Sequence, residues 1–244
     1  MSKVAISEEY LTDIADSIRE KLDTQDTYKV SEMSEAIDSI SGGGGVDWSA
    51  IGYSEEPKYI EDHYDYAKQI LDNYDSTLTN LDSYYVNNNN LVIMPLIDTS
   101  NVTSMYSTFA SCQYLESLPQ FDTHNVKSIR SIINGCNKLK YFPLIDTSNV
   151  TNMRNAFSSC PALTDVPQLD TSKVTEMKTM FTATNNLTDN SLNNILKMCI
   201  NATSYTSTKT LAQLGLNSGY YTVSRIQALP SYQDFIDAGW TIGY

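Results

Sequence analysis

The sequence predicts an α/β repeat protein, a solenoid of 24-residue repeats that follows a small N-terminal helical module. The solenoid is predicted from a repeated motif: Asp-Thr-Ser-Asn-Val-Thr occurs at 98–103 and again, unchanged, at 146–151. Looser copies begin at Asp122 and Asp170. No insertion disturbs the 24-residue period, and an undisturbed period of this length is typical of stacked repeats. A single catalytic site would not require such repetition.

The first half of each repeat is predicted to be a short helix. Apolar residues recur at i, i+3 and i+7, as in Val102, Met105 and Phe109. An aspartate precedes each of these runs, and we interpret its carboxylate as a helix N-cap. A cation site along the stacked carboxylates is the alternative interpretation. This column consists of Asp98, Asp122, Asp146 and Asp170.

The second half of each repeat is predicted to be extended. In "YLESLPQF" (114–121) the proline limits a strand to three or four residues. A short helix and a short strand within 24 residues form the leucine-rich-repeat plan. The strands would then stack about 4.8 Å apart in a parallel ribbon, with the helices on the opposite face.

Four cysteines raise the question of metal or redox chemistry. Cys112, Cys136 and Cys160 are 24 residues apart, and Cys199 stands alone. Disulfide frameworks and zinc sites show tighter pairs, so we interpret the column as small, packed side chains. The sequence predicts no metal and no cofactor.

At "DTSNVTNMRNAFSSC" (146–160) the repeats resemble the BspA-like leucine-rich-repeat family. That family occurs in bacterial surface proteins and in tail or fibre proteins of phages. The resemblance covers roughly residues 46–244, including a closing segment that resembles the caps of phage-encoded members. The second repeat departs from the pattern with His124, Ile129 and Ile132, so its helix is expected to pack differently.

The N-terminal module (1–41) is predicted to be helical, with Leu11, Ile14, Ile18 and Leu22 on one helical face. So short a chain barely makes a core alone, which favours pairing with copies of itself or with a partner. The segment is similar to N-terminal modules of phage structural proteins, which implies attachment to other virion proteins and a homo-oligomer. A trimer is expected from how fibres usually assemble. The predicted remainder comprises a glycine linker (42–45), an N-terminal cap region (46–73), the repeats (74–188) and a C-terminal cap (189–244).

Charge and hydropathy exclude two classes of partner. Residues 1–90 hold 19 acidic and 6 basic residues, whereas residues 91–244 hold 10 of each, so the net charge of −13 belongs to the first part. Nucleic-acid binding through a general positive field is therefore not expected. Since no apolar run approaches the ~18 residues of a membrane span and no signal peptide is recognisable, we expect synthesis in a host cytoplasm and no membrane insertion.

Catalysis is not indicated. The two histidines, His63 and His124, lack a nucleophile or metal partner at a recognisable spacing. "SGGGG" (41–45) is not a phosphate loop, because no Gly-Lys-Ser/Thr follows it. The sequence predicts a protein that is not an enzyme.

Two binding surfaces are candidates. Residues that directly follow a buried Met or Ile position face outward and would form a basic, partly aromatic ridge, suited to an anionic polymer or an acidic subunit. The alternative is a solvated face that binds nothing. The ridge consists of Tyr106, Arg130, Arg154 and Lys178. The second surface, the strand face, consists of Glu116, Gln120, Lys140, Tyr141, Thr164, Asp165 and Gln168.

These observations and the resemblance together favour a non-enzymatic phage virion protein. It would be a tail, baseplate or fibre component whose repeats bind a protein or polysaccharide of the bacterial surface. The alternatives are a head-fibre or decoration protein with a structural role on the capsid, and a bacterial surface adhesin.

Overall fold

Parallel bridges between residues 24 apart organise the fold. In a computed structural model that describes residues 66–243, each bridged residue of the repeats pairs with the residue 24 positions later. Successive repeats are therefore parallel and in register, and we call each of them a coil. One column of bridges joins Asn80, Ser104, Ser128, Asn152 and Glu176, and the other joins Ile93 to Ser117 and Tyr141 to Asp165.

Three predicted segments lie outside the described residues: the N-terminal module (1–41), the glycine linker (42–45) and residues 46–65 of the cap region. Within that region, residues 66–73 are helical, and the buried Ile70 packs into the core of the coils. The predictions for the N-terminal module and the linker remain predictions.

Three helices follow the coils: α1 (Asp189–Asn201), α2 (Val223–Gln227) and α3 (Tyr232–Asp237). The predicted C-terminal cap also begins at residue 189. The Thr188 hydroxyl caps α1 by accepting a hydrogen bond from the Ser191 N–H. The Ser191 hydroxyl donates to the Thr164 carbonyl at 3.0 Å, which ties α1 to the coil before the last one.

The helix predicted in the first half of each repeat does not form. Overlapping turns take its place, with Ser107 and Ser111 in the left-handed region (φ 52° and 59°). The N–H groups of Ser107 and Phe109 donate to the carbonyls of Arg130 and Ile132 in the next coil, at 2.8 and 2.9 Å. The alternate N–H groups, of Thr108 and Ala110, donate three residues back, to the carbonyls of Met105 and Ser107. A run of turns buries the same i, i+3 and i+7 positions as a helix, while half of its N–H groups join neighbouring coils.

The predicted strand of three or four residues is also shorter than expected. In the described part of the chain the second half of each repeat forms at most one isolated bridge. For example, the N–H groups of Glu116 and Ser117 both donate to the Val92 carbonyl, at 2.8 and 3.3 Å. Pro119, which follows closely, has no N–H to extend the ladder.

Four apolar columns run through the interior of the stack. A column shares one position in successive coils, and its members are at most 1% exposed. Phe157 lies between the two aromatic neighbours Phe181, with ring centroids 5.4 Å apart, and Phe142, at 4.8 Å. The columns are Val102, Val126, Val150 and Val174; Met105, Ile129, Met153 and Met177; Phe109, Ile133, Phe157 and Phe181; and Leu115, Leu139, Leu163 and Leu187.

Hydrogen bonds between coils explain the repeated motif. Its first threonine is buried and donates forward, from the Thr147 hydroxyl to the Asp170 carbonyl at 2.9 Å. Its asparagine donates backward, from the Asn149 amide to the His124 carbonyl at 2.8 Å. The backbone N–H of its last threonine, Thr151, also donates backward. Each copy of the motif therefore joins a coil to both neighbours.

We expect Thr147→Val to lower the free energy of unfolding by about 1–3 kcal/mol, because it removes a buried donor without changing the side-chain shape. Thr151→Val is the matched control. Its hydroxyl is exposed, and the Lys127 carbonyl that it contacts also accepts the Thr151 N–H at 2.9 Å. The control should stay within about 0.5 kcal/mol of wild type in urea unfolding. Equal losses in the two variants would contradict this role of the motif.

The aspartate column caps turns, which corrects its interpretation as a helix N-cap. Asp146 Oδ1 accepts the Ser148 N–H at 2.9 Å, and Asp98 Oδ1 accepts the Ser100 N–H at 3.0 Å. Hydrogen bonds from the residue two positions on, both side-chain and backbone, hold the pKa of Asp98, Asp122 and Asp146 below the usual value. The alternative of a cation site gains no support among residues 66–243, where no group of three or more ligand side chains is suitably placed.

We expect the aspartate column to stabilise the fold at neutral pH and to lose that contribution in acid. Because the pKa values are lower in the folded than in the unfolded chain, the contribution is complete above the unfolded value of about 3.9 and is lost as the pH falls below it. We expect the melting temperature to fall steeply between about pH 4 and pH 2. The triple variant Asp98→Asn/Asp122→Asn/Asp146→Asn keeps a turn acceptor but cannot titrate. Its melting temperature should depend less on acid, and an unchanged dependence would refute the assignment.

Candidate functional site

The cysteine column has a structural role. Cys112, Cys136 and Cys160 are fully buried, and each thiol donates to a carbonyl of the preceding coil at 3.0–3.2 Å. Thr184 takes the same position in the next coil, and its hydroxyl donates to the Phe157 carbonyl. Burial raises the pKa of Cys112 to about 11 and that of Cys160 to about 12. The thiols therefore stay protonated and shielded from solvent at neutral pH.

His124 belongs to an exposed surface network. Its Nδ1 lies 2.5 Å from Asp122 Oδ1, and its Nε2 lies 2.7 Å from the Asn125 amide nitrogen. Both ring nitrogens thus have neighbours on the same turn, an arrangement that stabilises the turn. His63 lies outside the described residues.

The four residues of the predicted ridge occupy one position in successive coils. The N–H groups of Ser107, Ser131 and Asn155 donate to the carbonyls of Arg130, Arg154 and Lys178, which fixes this register. The Arg130 guanidinium lies over the Tyr106 ring, 5.2 Å from its centroid. Arg154 is exposed, whereas Arg130 and Lys178 are half-buried. The ridge is therefore continuous, with its aromatic end covered by one of its own cations.

The residues predicted for the strand face separate into two groups. Exposed members are Glu116, Gln120, Lys140, Tyr141 and Gln168. Asp165 and Thr164 are half-buried and bond to each other at 2.7 Å. Asp165 also accepts the Thr188 hydroxyl at 3.2 Å, so it contributes to the junction between the coils and α1.

A surface groove of about 400 Å³ is lined by residues of two columns that were not predicted to form one site. One wall comes from the positions that directly follow the prolines, and the other comes from the aspartate column. Leu144 is 55% exposed at its centre, although it is a large apolar side chain. The groove is lined chiefly by Gln120, Leu144, Gln168, Asp146, Ser148 and Asp170. The one signal in the sequence was the shared 24-residue spacing of these two neighbouring columns.

The electrostatics of the groove are anionic and polar. Backbone and side-chain hydrogen bonds from Ser148 lower the pKa of Asp146, which keeps its carboxylate charged at neutral and mildly acidic pH. No residue that lines the groove carries a positive charge. The groove and the ridge therefore offer opposite electrostatic environments.

A second concavity, of about 250 Å³, lies at the N-terminal end of the coils. It is lined by Tyr66, Ile70, Tyr74, Tyr84 and Tyr85, among others. The Tyr74 hydroxyl is buried without a hydrogen-bond partner within residues 66–243, and burial raises its pKa to about 12. This concavity includes Tyr66, the first residue that the structure describes.

No helix within the described range is long and apolar enough to cross a membrane. Comparison with curated proteins and with solved structures gave no significant match. One family model does match, in two overlapping segments, residues 60–143 and 142–210, which together span more than half of the chain. Both segments fall mainly on the coils. The chain therefore belongs to the family described as Mycoplasma protein of unknown function, DUF285.

Proposed function

We propose that this chain is a non-enzymatic virion protein, a phage tail, baseplate or fibre component whose coils bind the bacterial surface. In this proposal the coils form a solenoid of the BspA-like leucine-rich-repeat type. The observation that carries the proposal is that each coil uses different positions for stability and for its exposed surface. The interior columns pack against one another, and the repeated motif forms hydrogen bonds between coils. The outward-facing side chains outside the motif differ from coil to coil.

The variable positions supply chemistry that the fold itself does not need. The ridge presents the exposed cation Arg154, and the strand face presents Tyr141, which is 62% exposed. Exposed tyrosine is a rigid, amphipathic contact for proteins and sugars. A display of unlike side chains on a regular framework suits recognition of a surface polymer or protein. The N-terminal module would attach the chain to other virion proteins, in a homo-oligomer.

A bacterial surface protein is the second candidate. The family is described by its occurrence in Mycoplasma, a cellular organism, and this favours a role on a cell rather than on a virion. The same coils would then project from the bacterium that makes them and bind an external partner.

The test combines localisation with adsorption. Immunogold electron microscopy with an antibody against the full chain should label the tails of phage particles, and the purified full chain should adsorb to intact host cells in competition with whole phage. Arg130→Glu/Arg154→Glu tests the ridge in the same adsorption assay. Label on capsids without adsorption would favour a decoration protein. Label on the bacterial envelope in cells free of phage would favour the surface protein.

A further inference from the structure

Polar and apolar side chains alternate along the positions that directly follow the prolines; Gln120, Leu144 and Gln168 line the groove, and Leu96 extends the same column by one coil. The positions that directly follow the prolines are Leu96, Gln120, Leu144 and Gln168, and all four are exposed. Leucine and glutamine thus alternate from one coil to the next. Adjacent coils of a parallel stack are about 4.8 Å apart, so equivalent groups recur at about 10 Å.

The neighbouring bridge column follows the same rhythm. Ile93 and Tyr141 lie on the same coils as the two leucines and are 48% and 62% exposed. Ser117 and Asp165 lie on the coils that carry the glutamines. The surface is therefore banded, with an apolar band on every second coil and a hydrogen-bonding band between. Stacking of the coils does not require the exposed apolar side chains of the bands, because the coils stack through interior columns and backbone bonds.

The opposite wall defines the kind of polar group that fits. The carboxylates of Asp146 and Asp170 are pure acceptors, so they favour ligands rich in hydroxyl or amide donors. The amides of Gln120 and Gln168 both donate and accept. No cation lines the groove itself, and the nearby Lys173 ammonium donates to the Asn149 side chain, so a phosphate-bearing or carboxylate-bearing polymer would meet chiefly the charge of the two carboxylates. Leu144 offers an apolar surface to a flat C–H face.

We infer that the groove binds an extended, uncharged glycan of β-1,4-linked sugars, lying along the axis of the stack. Successive rings of such a chain are turned over, so equivalent faces recur at every second sugar, as the bands recur at every second coil. Each apolar band packs against the C–H face of a ring, while the glutamines and aspartates bind ring hydroxyl and amide groups. This inference rests on the proposed function, since it names the bacterial surface polymer that the coils recognise.

Isothermal titration calorimetry on the full chain tests the inference with three probes. These are the hexamer of β-1,4-linked N-acetylglucosamine, the α-1,4-linked glucose hexamer, which curves instead of extending, and poly(glycerol phosphate) as an anionic polymer. We expect the β-1,4-linked hexamer to bind at least about tenfold more tightly than the other two. Absence of hexamer binding, or tighter binding of poly(glycerol phosphate), would overturn the inference.

Two double variants locate the binding. Leu144→Ala/Gln168→Ala should weaken hexamer binding about tenfold or more. Tyr114→Ala/Gln113→Ala removes an exposed apolar side chain and an exposed glutamine away from the groove, and its affinity should equal that of wild type. Equal affinity of the groove variant and wild type would also overturn the inference. All replaced side chains are exposed, so melting temperatures should stay unchanged.

The adsorption assay separates this inference from the proposed function. If the full chain adsorbs to host cells but does not bind the hexamer, the groove inference is wrong and the proposed function stands. If it binds the hexamer through the groove but adsorbs to no bacterial cell, the inference stands and the proposed function is wrong.

Discussion

Replacing Phe157 with alanine is expected to lower the free energy of unfolding by about 3–5 kcal/mol, the usual cost of emptying a buried phenylalanine site. Phe157 is fully buried in the middle of the stack, with aromatic neighbours in the coils on either side. The neighbouring coils are fixed by backbone bonds on both sides of the site, including Phe157 N–H to the Met180 carbonyl at 2.9 Å. The surroundings therefore have little freedom to collapse into the cavity.

Urea unfolding followed by circular dichroism measures this loss. Tyr141→Ala is the matched control, because it truncates an aromatic side chain that is 62% exposed, and it should change the free energy by less than about 0.5 kcal/mol. A loss below about 1 kcal/mol for Phe157→Ala would show that the coils repack freely, and the picture of a rigid stack would then be wrong.

Replacing Gly215 with alanine is expected to cost about 3 kcal/mol or more, from two causes that add. Gly215 has φ +88°, where a side chain costs about 1–2 kcal/mol. The added Cβ would also lie 2.6 Å from the Thr182 backbone nitrogen and 2.8 Å from its Cα. The backbone cannot move aside easily, because the adjacent Phe181 N–H donates to the Leu214 carbonyl at 2.8 Å.

Gly239→Ala isolates the conformational cause, since Gly239 has φ +81° and no atom within 4 Å of the added Cβ. It should cost only about 1–2 kcal/mol. Thermal unfolding of the two variants beside wild type gives the comparison. Equal losses would mean that the cap separates readily from the last coil, contrary to the contacts at Thr182.

The C-terminal cap explains why Gly215 matters. In the repeats, N–H groups of one coil donate to carbonyls of the next, and the last coil has no successor. The cap substitutes for it: the N–H groups of Thr179 and Phe181 donate to the carbonyls of Gln213 and Leu214, both at 2.8 Å. The segment that ends the stack must therefore approach Thr182 as closely as another coil would, and glycine permits that approach.

The sequence could predict which column each candidate binding residue occupies but not which residues of other columns lie beside it. Tyr106 and Arg130 share a column because the period is exact, and this was readable from spacing alone. The groove was not readable in the same way. It depends on how closely the positions after the prolines approach the aspartate column of the next coil, and that distance is a property of the folded stack.

By itself, the sequence determined the 24-residue period and the inward columns such as Val102 and Phe109, and it predicted a C-terminal cap from residue 189, though not that the cap begins with a helix. These follow from side-chain chemistry at fixed spacing. Only the tertiary structure decided between a helix and a run of turns at 105–112. Both conformations bury the same side chains, and they differ in where the backbone N–H groups donate. Neighbouring coils supply carbonyls to Ser107 and Phe109, and so turns prevail over a helix too short to stand alone.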